Sequence, residues 1–296
     1  CLLAATLVTA AAWGDSFFYV GPEASADGAT LIGRTVEPER MNAAFRTVVR
    51  PNVVEREMAY ASTPAVSAIR RDQSVCGAVT ECGLAVTGGR SGHVLPELLK
   101  LDPYSTNPEA ITDDNLVGFA AMANKSAKEA VLMVTERVRA KGIGGPATWL
   151  FADTKEAWLL ELYAGHAWAA VRLPRNQVTA FGDRFMLRGF KADGENALAS
   201  KNLVELAEKT GTIVRDATGA IDLFRSYSGK ADDYGNLRTW RGRTEWAKAK
   251  PGDYVTDEPG EPFYEPARKL SEKDVFRLMR DRMNWTKWWP TVPESW

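Results

Sequence analysis

The sequence predicts an α+β protein in which helices pack on the faces of antiparallel sheets. Three observations lead to this fold class: apolar runs that come in pairs, one strongly helical stretch at 127–141, and a close succession of strand-like runs between residues 147 and 173. The short connections between those last runs suit an antiparallel meander, because parallel neighbours need long crossovers. A layered α+β domain is therefore favoured over a doubly wound parallel sheet.

The first predicted hairpin carries a candidate site residue at its end. Residues 17–20 and 30–34 are apolar runs on either side of a polar turn centred on Asp27. Arg34 ends the second run, and Glu37 follows three residues later. A guanidinium at a strand end can hold a substrate carboxylate or polarise a catalytic group, and a nearby acid can orient it. A surface ion pair is the alternative.

A second predicted hairpin leads into a glycine-rich stretch. Residues 75–79 and 84–87 are the two strands, separated by the turn 80–83. The following residues, 88–92, lack the Lys-Ser/Thr ending of a phosphate loop. They predict a flexible loop bordering a site, and Arg90 within it is a candidate substrate-binding residue.

The middle of the chain gives the clearest helix. Ser126 followed by Glu129 is a capping box, and Gly142 supplies a stop. The residues that form the apolar face are Ala127, Ala130, Val131, Val134 and Val138. The strands of the predicted meander follow at 147–152, 157–163 and 167–173.

The C-terminal third predicts two more helices and one long loop. Leu203 and Leu206 mark a helix that stops at Gly211. Ser271 begins a last helix that carries Val275, Leu278 and Met279. The segment 248–266 is rich in proline, glycine and acidic residues, which predicts a long surface loop.

Composition and charge restrict the partners. The chain has 296 residues, a net charge of −1 and no basic or acidic tail, so we expect no nucleic-acid partner. Residues 2–12 are apolar but too short for a transmembrane span. They end in three alanines, which is typical of an export signal, so residues 1–12 are interpreted as its remnant and the protein as periplasmic or extracellular. An ordinary buried helix or strand is the alternative.

No metal or cofactor site is predicted. His93 and His166 are far apart and have no histidine at i+4, so structural or surface roles are favoured for both. Turn-like contexts at Asp102 and at Asp232-Asp233 predict solvated loops. The three cysteines, Cys1, Cys76 and Cys82, fit no zinc spacing. The last two are either a disulfide, if the protein is exported, or two buried thiols.

Several motifs, in the right order along nearly the whole chain, resemble the cysteine N-terminal nucleophile hydrolases of the dipeptidase A and secernin type. The matching segments are Phe18-Tyr19-Val20-Gly21, Ala24-Ser25-Ala26-Asp27-Gly28-Ala29-Thr30, Gly33-Arg34, Leu101-Asp102-Pro103-Tyr104, the Trp-x-x-Glu-x-x-x-Gly-His-x-Trp run from Trp158 to Trp168, Phe181-Gly182-x-x-Phe185-Met186-Leu187 and Arg238-Thr239-Trp240-x-Gly242.

The resemblance implies an αββα sandwich, with antiparallel sheets between helical layers. It places this domain at residues 13–296 and implies that further sequence completes it, since family members are longer. It also implies a self-activated amidase: removal of a leader exposes a cysteine whose thiolate attacks the peptide carbonyl, while its own α-amine acts as base. An arginine, an acid and oxyanion donors complete such a site.

The nucleophile position departs from the family pattern. Counting back from Arg34 without gaps places it on Asp15, and one inserted residue places it on Gly14, so neither candidate is cysteine. Ser16 is a further candidate nucleophile, which cleavage after Asp15 would expose.

The supporting positions are also altered. The acid is Glu37, and the asparagines expected as oxyanion donors are Thr80 and Asp183. An aspartate at such a position brings negative charge to where the oxyanion develops, unless its carboxyl is protonated. His166 lies in a matching segment and, with Arg90, is a candidate substrate-binding residue.

The expected function is a dipeptidase that hydrolyses small peptides through an N-terminal nucleophile. Two enzyme interpretations lead to it: a diverged hydrolase that uses Ser16, or an active dipeptidase whose sequence is altered around the nucleophile. The alternative is a catalytically inactive family member that binds peptides or a protein partner, because the cysteine and both asparagines are replaced. A small peptide is the expected substrate, no cofactor is implied, and the oligomeric state stays open.

Overall fold

The computed structural model describes residues 16–35, 46–50, 66–71, 74–80, 82–122, 126–228, 233–254, 260–281 and 283. These residues form two antiparallel sheets and seven helices. The strands are β1 (Phe17–Val20), β2 (Leu31–Arg34), β3 (Arg46–Arg50), β4 (Val66–Arg71), β5 (Ser74–Thr80), β6 (Ala85–Arg90), β7 (Ala147–Ala152), β8 (Ala157–Leu162), β9 (Trp168–Arg172), β10 (Val178–Phe181) and β11 (Ala197–Ala199). The helices are α1 (Pro96–Leu101), α2 (Leu116–Met122), α3 (Ala127–Lys141), α4 (Leu203–Thr210), α5 (Leu223–Tyr227), α6 (Asp233–Trp246) and α7 (Glu272–Met279).

The two sheets stack as the middle layers of a four-layer sandwich. The smaller sheet has the order β10-β1-β2, and the larger has the order β11-β9-β8-β7-β6-β5-β4-β3. Helix α6 packs on β10 and α7 on β2, while β2 meets β6 and β7 of the larger sheet. Helices α2 and α3 cover the opposite face of the larger sheet. The α+β class and the αββα layer order are therefore confirmed.

Side-chain alternation in the central strands fills three separate cores. In β1, Phe17 and Tyr19 pack between the sheets, whereas Phe18 and Val20 pack toward α6 and α7. In β7, Leu150 lies between the sheets, and its neighbours on either side pack toward α2 and α3. Because both faces of these strands are covered, their sequences are continuous apolar runs.

The predictions for the middle of the chain are confirmed. Helix α3 covers the predicted residues; the Ser126 hydroxyl accepts a hydrogen bond from the Glu129 amide at 3.1 Å, and Gly142 ends the helix at φ 78°. Strands β7, β8 and β9 pair as consecutive antiparallel neighbours, as in the predicted meander.

Helix α6 differs from the prediction, which placed a solvated turn at Asp232-Asp233. Asp233 begins this helix, and Asp232 lies outside the described residues. Two glycines explain why a polar sequence packs here. Gly235 lies against Gly182, which directly follows β10: a Cβ on Gly182 would lie 2.6 Å from the Gly235 Cα. Gly242 lies against β10 itself, since a Cβ on Gly242 would lie 2.6 Å from the Ala180 Cβ. The backbone of the helix therefore lies close to the backbone of β10. Such a contact depends on glycines, so it produces no periodic pattern of hydrophobic residues in the sequence.

The segment 248–266 is not entirely the surface loop that was predicted. Tyr264 is buried, and its backbone pairs with Val178 at the outer edge of β10 through N–O distances of 2.9 and 3.1 Å. The glycine-rich stretch after β5 is also corrected, because Gly88, Gly89 and Arg90 are strand residues at the end of β6.

Two further findings concern the cysteines and the membrane. Cys82 is an exposed free thiol, so both predictions for it, a disulfide and a buried thiol, are wrong. Cys1 lies outside the described residues, and the structure does not describe the side chain of Cys76. Within the described ranges, no helix has the length and apolar character needed to cross a bilayer, and no three His, Cys, Asp or Glu side chains are grouped as metal ligands.

The core between the sheets provides a stability test. Leu159 of β8 is fully buried there, whereas Leu132 on α3 is 47% exposed. Leu159→Ala should lower the free energy of unfolding by about 2–5 kcal/mol, because it removes buried methyl groups and leaves a cavity. Leu132→Ala should change it by less than about 0.5 kcal/mol. Denaturant unfolding of both variants measures this, and equal losses would contradict the placement of the core.

Candidate functional site

One end of the sandwich brings together the start of β1 and the ends of β2 and β10. Phe17 pairs with Arg34 on one side and with Phe181 on the other. Ser16 therefore precedes β1 at the point where β2 ends, and Asp183 follows β10 at the same end. We call this the Arg34 end.

The Arg34 guanidinium points into the space between the sheets. Directly paired residues share a face of the sheet, so Arg34 lies on the Phe17 side, and its guanidinium carbon is 5.9 Å from the Phe17 ring centroid. On its other side it rests against β6, where a Cβ on Gly89 would lie 2.4–2.6 Å from guanidinium atoms. The glycine therefore provides the room that the Arg34 side chain occupies.

Ser16 faces the opposite side of the small sheet. Its amide donates a hydrogen bond to the Thr35 hydroxyl at 2.9 Å, and its side chain is buried. Because side chains alternate along a strand, Ser16 shares the helix-facing side with Phe18 and is separated from Arg34 by the sheet itself. The Ser16 hydroxyl has no hydrogen-bond partner among the described residues. It opens into a small pocket whose lining includes Arg238, Arg241, Leu278 and Asp281.

Asp183 ties two segments together at the Arg34 end. Its Oδ1 accepts a hydrogen bond from the Gly92 amide at 2.8 Å, and the Ser91 hydroxyl donates to the Arg184 carbonyl at 3.2 Å. The segment after β10 is thereby attached to the segment after β6. An asparagine oxygen accepts the same bond, but a carboxylate lacks the amide NH₂ that donates to an oxyanion. The Asp183 carboxylate at this position therefore accepts the Gly92 amide and has no N–H of its own to donate.

Glu161 is a polar residue of this region whose place the sequence reasoning missed. It lies in β8 and is fully buried. Its Oε1 accepts a hydrogen bond from the Met186 amide at 2.5 Å, and its Oε2 accepts one from the Tyr163 hydroxyl at 2.7 Å. Burial raises the pKa of the Glu161 carboxyl from 4.5 to about 7, and these hydrogen bonds partly offset the rise. Two signals were available: Glu161 is the glutamate of the run from Trp158 to Trp168, and it is the single charge in an otherwise apolar strand.

Thr80 lies away from these residues. It closes the β5–β6 turn, where its hydroxyl accepts from the Leu84 amide at 3.2 Å and its own amide donates to the Leu84 carbonyl at 2.8 Å. The Arg34 contact is at the other end of β6, roughly 13–17 Å along the strand at about 3.3 Å per residue. The structure therefore does not bring Thr80 together with Arg34.

Arg90 also lies apart from Arg34, although it follows Gly89 directly. Adjacent residues in a strand face opposite ways, so Arg90 lies on the α2–α3 side of the larger sheet, where it is exposed. The nearby Tyr104 has its pKa raised to about 12 by burial, against the opposing effect of the Arg90 charge. Arg90 therefore borders a different surface from the one that Arg34 faces.

His166 lies in the turn between β8 and β9, beside a carboxylate. Its Nδ1 donates to Asp102 Oδ1 at 2.9 Å, and its amide donates to Asp102 Oδ2 at 2.7 Å. The Asn202 side chain donates to the same Oδ2 at 3.2 Å. The solvated loop predicted for Asp102 is wrong, because this carboxylate is 8% exposed and joins two turns. His166 lines an open groove with residues 101–108.

Of the predicted site residues, the structure thus gathers Arg34 and Asp183 at one end, with Ser16 nearby on the other face. Arg90 and His166 lie on neighbouring surfaces, and Thr80 is remote. Asp15 and Glu37 lie outside the described residues.

The two neighbouring glycines of β6 allow a matched test. A Cβ on Gly88 would lie 2.5 Å from the Thr148 carbonyl oxygen, a backbone atom that cannot move freely. Gly88→Ala should therefore destabilise the fold by about 1–3 kcal/mol. Gly89→Ala meets only the flexible end of Arg34, so it should cost less than about 1 kcal/mol while it displaces the guanidinium. Thermal unfolding compares the two, and an equal or reversed order would contradict the described geometry.

Sequence relatives agree on one family. Residues 16–295 match the pattern that defines Peptidase family C69. Probable dipeptidase B of Lactococcus lactis subsp. lactis (strain IL1403) is 26% identical over 294 residues, which cover 92% of this chain and 61% of that protein. A probable dipeptidase of Salmonella dublin is 28% identical over 298 residues, which cover 90% of this chain and 66% of that protein. The chain spans less than two thirds of the length of these relatives.

A solved structure of penicillin V acylase from Agrobacterium tumefaciens aligns with 94% of this chain and 76% of its own, at 12% identity and a TM-score of 0.39. Agreement at that level carries no weight for fold or function. The match over residues 16–295 is sufficient: the chain belongs to Peptidase family C69.

Proposed function

We propose that the protein is a dipeptidase that hydrolyses the peptide bond of small peptides through a nucleophile at the N-terminus of its processed chain. Family membership and the names of its relatives support a peptidase acting on such substrates. The observation that carries the proposal is the placement of Arg34: a permanent positive charge held between the sheets, beside the start of β1.

Hydrolysis would proceed in two steps. The nucleophile attacks the substrate carbonyl while the α-amine takes its proton. The α-amine then passes this proton to the leaving nitrogen, and the carbon–nitrogen bond breaks to release the amine product. Water next releases the acyl group. An α-amine suits this role because its pKa of about 7.7–8.0 leaves part of it neutral at working pH. Arg34 supplies positive charge toward the developing oxyanion or the substrate carboxylate.

The geometry distinguishes two sites for the nucleophile. If processing exposes Ser16, its α-amine is the nitrogen that lies 2.9 Å from the Thr35 hydroxyl, and its own hydroxyl opens toward Arg238 on the helix-facing side. Attack assisted by Arg34 instead requires a nucleophile on the Phe17 face of the small sheet. Export and a cleavage that leaves Asp15 or Ser16 at the N-terminus belong to this proposal, because an N-terminal nucleophile must be freed by cleavage.

A second candidate function is peptide binding without turnover. The specific observation in its favour is the Asp183 carboxylate, which stands where the family pattern has an oxyanion donor and accepts the Gly92 amide instead. In that case Arg34 holds the carboxylate of a bound peptide.

Substitution of Arg34 separates these functions. If the nucleophile lies on the Phe17 face, Arg34→Ala should lower kcat/KM for dipeptides by about 10²–10³, the usual effect of losing one group that stabilises an oxyanion. If Ser16 is the nucleophile, the loss should be smaller, because the sheet separates Ser16 from Arg34. Arg139→Ala, a change on the exposed face of α3, is the matched control and should leave the rate unchanged. Absence of turnover in the wild-type protein would overturn the dipeptidase proposal. Binding of dipeptides that Arg34→Ala weakens would then support the second function.

The processed N-terminus gives an independent test. N-terminal sequencing of the secreted protein should show a start at Asp15 or Ser16, because only these place a free α-amine beside β1. A start at Trp13 would rule out N-terminal catalysis. If the start is Ser16, Ser16→Ala should abolish turnover without loss of folding, as followed by circular dichroism.

A further inference from the structure

The carboxylate of Glu161 is an unusual group for its surroundings. The β8 strand around it is fully buried, and Leu159 on the same face packs between the sheets. A buried carboxylate is costly unless hydrogen bonds replace its hydration. Glu161 makes such bonds to groups outside its own strand, so its position is linked to another part of the chain.

Those groups belong to the segment that follows β10. Glu161 Oε1 accepts from the Met186 amide at 2.5 Å, and Oε2 lies 3.4 Å from the Leu187 amide. The Tyr163 hydroxyl donates to Oε2 at 2.7 Å. Met186 and Leu187 lie outside regular strands and helices, so here a side chain supplies the acceptor that a neighbouring strand would otherwise provide.

The same segment reaches the Arg34 end at its other extremity. Asp183 accepts the Gly92 amide, and the Phe185 ring lies against Gly92, where a Cβ would be 2.9 Å from the ring. Phe185 also packs edge-on against Tyr163, with ring centroids 4.6 Å apart. Gly92 is three residues from Gly89, which contacts the Arg34 guanidinium. Contacts therefore lead from Glu161 to Gly92, and a step of three residues along the chain connects Gly92 to the Gly89 that lies against Arg34.

Other charged and titratable groups act on this carboxylate. Arg184 lowers the pKa of Glu161 by its positive charge, and the Tyr163 hydrogen bond lowers it as well, while burial raises it further, to about 7. Burial raises the pKa of Tyr163 well above its usual value, and the charges of Glu161 and Asp222 and the neighbouring Tyr227 raise it further, so that hydroxyl stays protonated and remains a donor. A hydrogen bond to an ionised carboxylate is roughly twice as strong as one to a neutral group. The charge on Glu161 thus sets how firmly the Met186 amide is held.

We propose that Glu161 is a positioning residue of the candidate site: its ionised carboxylate fixes the segment 183–187 and thereby holds Asp183 and Gly92 in place beside Gly89 and Arg34. This inference rests on the proposed function for its effect on turnover. Its effect on the segment itself does not depend on turnover. Protonation of Glu161 weakens its hydrogen bonds to the segment, so local opening that leaves Glu161 buried is rarer at alkaline pH than at acidic pH. Global unfolding, which hydrates the carboxylate, responds to pH in the opposite sense.

Hydrogen exchange followed by mass spectrometry tests the contact directly. In the wild-type protein, exchange of peptides that contain residues 183–187, corrected for the intrinsic pH dependence, should be at least tenfold faster at pH 5.5 than at pH 8. In Glu161→Gln it should be fast at both. Glu156→Gln, a change in the neighbouring turn, is the control and should behave as wild type. Unchanged exchange of this segment in Glu161→Gln would overturn the proposal.

The pH dependence of turnover tests the link to the site. The acid limb of kcat/KM should be steeper in the wild type, where Glu161 and the α-amine both titrate near pH 7–8, and in Glu161→Gln it should retain only the contribution of the α-amine, with a lower plateau. Tyr163→Phe keeps the ring packing but removes a donor that lowers the Glu161 pKa, so its acid limb should move to higher pH. A purely structural role predicts no such movement, and an unmoved limb would overturn the positioning role.

Stability gives a readout that does not need activity. Between about pH 4.5 and pH 7 the folded protein keeps a proton on Glu161 that the unfolded chain has lost, so the free energy of unfolding should fall as pH rises through this window. Glu161→Gln should lack that contribution. If the wild type shows no turnover, the proposed function fails, while exchange and stability still decide the proposal for Glu161.

Discussion

The burial of β1 on both faces and along both edges is the constraint on which the rest of the structure depends. This four-residue strand is the centre of the smaller sheet, and all of its side chains are buried. Its partners β2 and β10 must therefore be covered in their turn, by α7 and α6 on one side and by the larger sheet on the other. The four layers follow from the need to cover an apolar strand in every direction.

The same strand divides the candidate chemistry. Because alternation leaves no choice of face, Arg34 projects into the space between the sheets while Ser16 projects toward the helices. Arg34 fits there only because β6 carries a glycine opposite it. Asp183 and Glu161 then hold the segment that closes this end. The site is thus built by backbone register and by small residues as much as by its charged groups.

Local signals account for what the sequence predicted correctly. Helix α3 has its cap, apolar face and stop within one segment, and β7 to β9 are separated by short turns, so neighbouring residues specify them. Helix α6 was not predicted because its packing depends on contacts of Gly235 and Gly242 with residues in and directly after β10, which are distant in sequence. The burial of Asp102 depends in the same way on His166 and Asn202, which are remote in sequence. Motif resemblance suggested Arg34, Asp183 and Thr80 as site residues, but it could not reveal their positions. In the structure the first two lie at one end of the fold, and Thr80 lies at the other end of β6.

The pairing of Tyr264 with Val178 has a consequence for how the molecule meets its neighbours. A strand at the edge of a sheet offers unpaired amides and carbonyls to any extended chain that approaches it. At Val178 both of these groups are already bonded to Tyr264, and the buried aromatic side chain anchors the returning segment. The outer edge of β10 is therefore occupied at Val178 by the protein's own backbone, which protects this point of the small sheet against strand addition and aggregation.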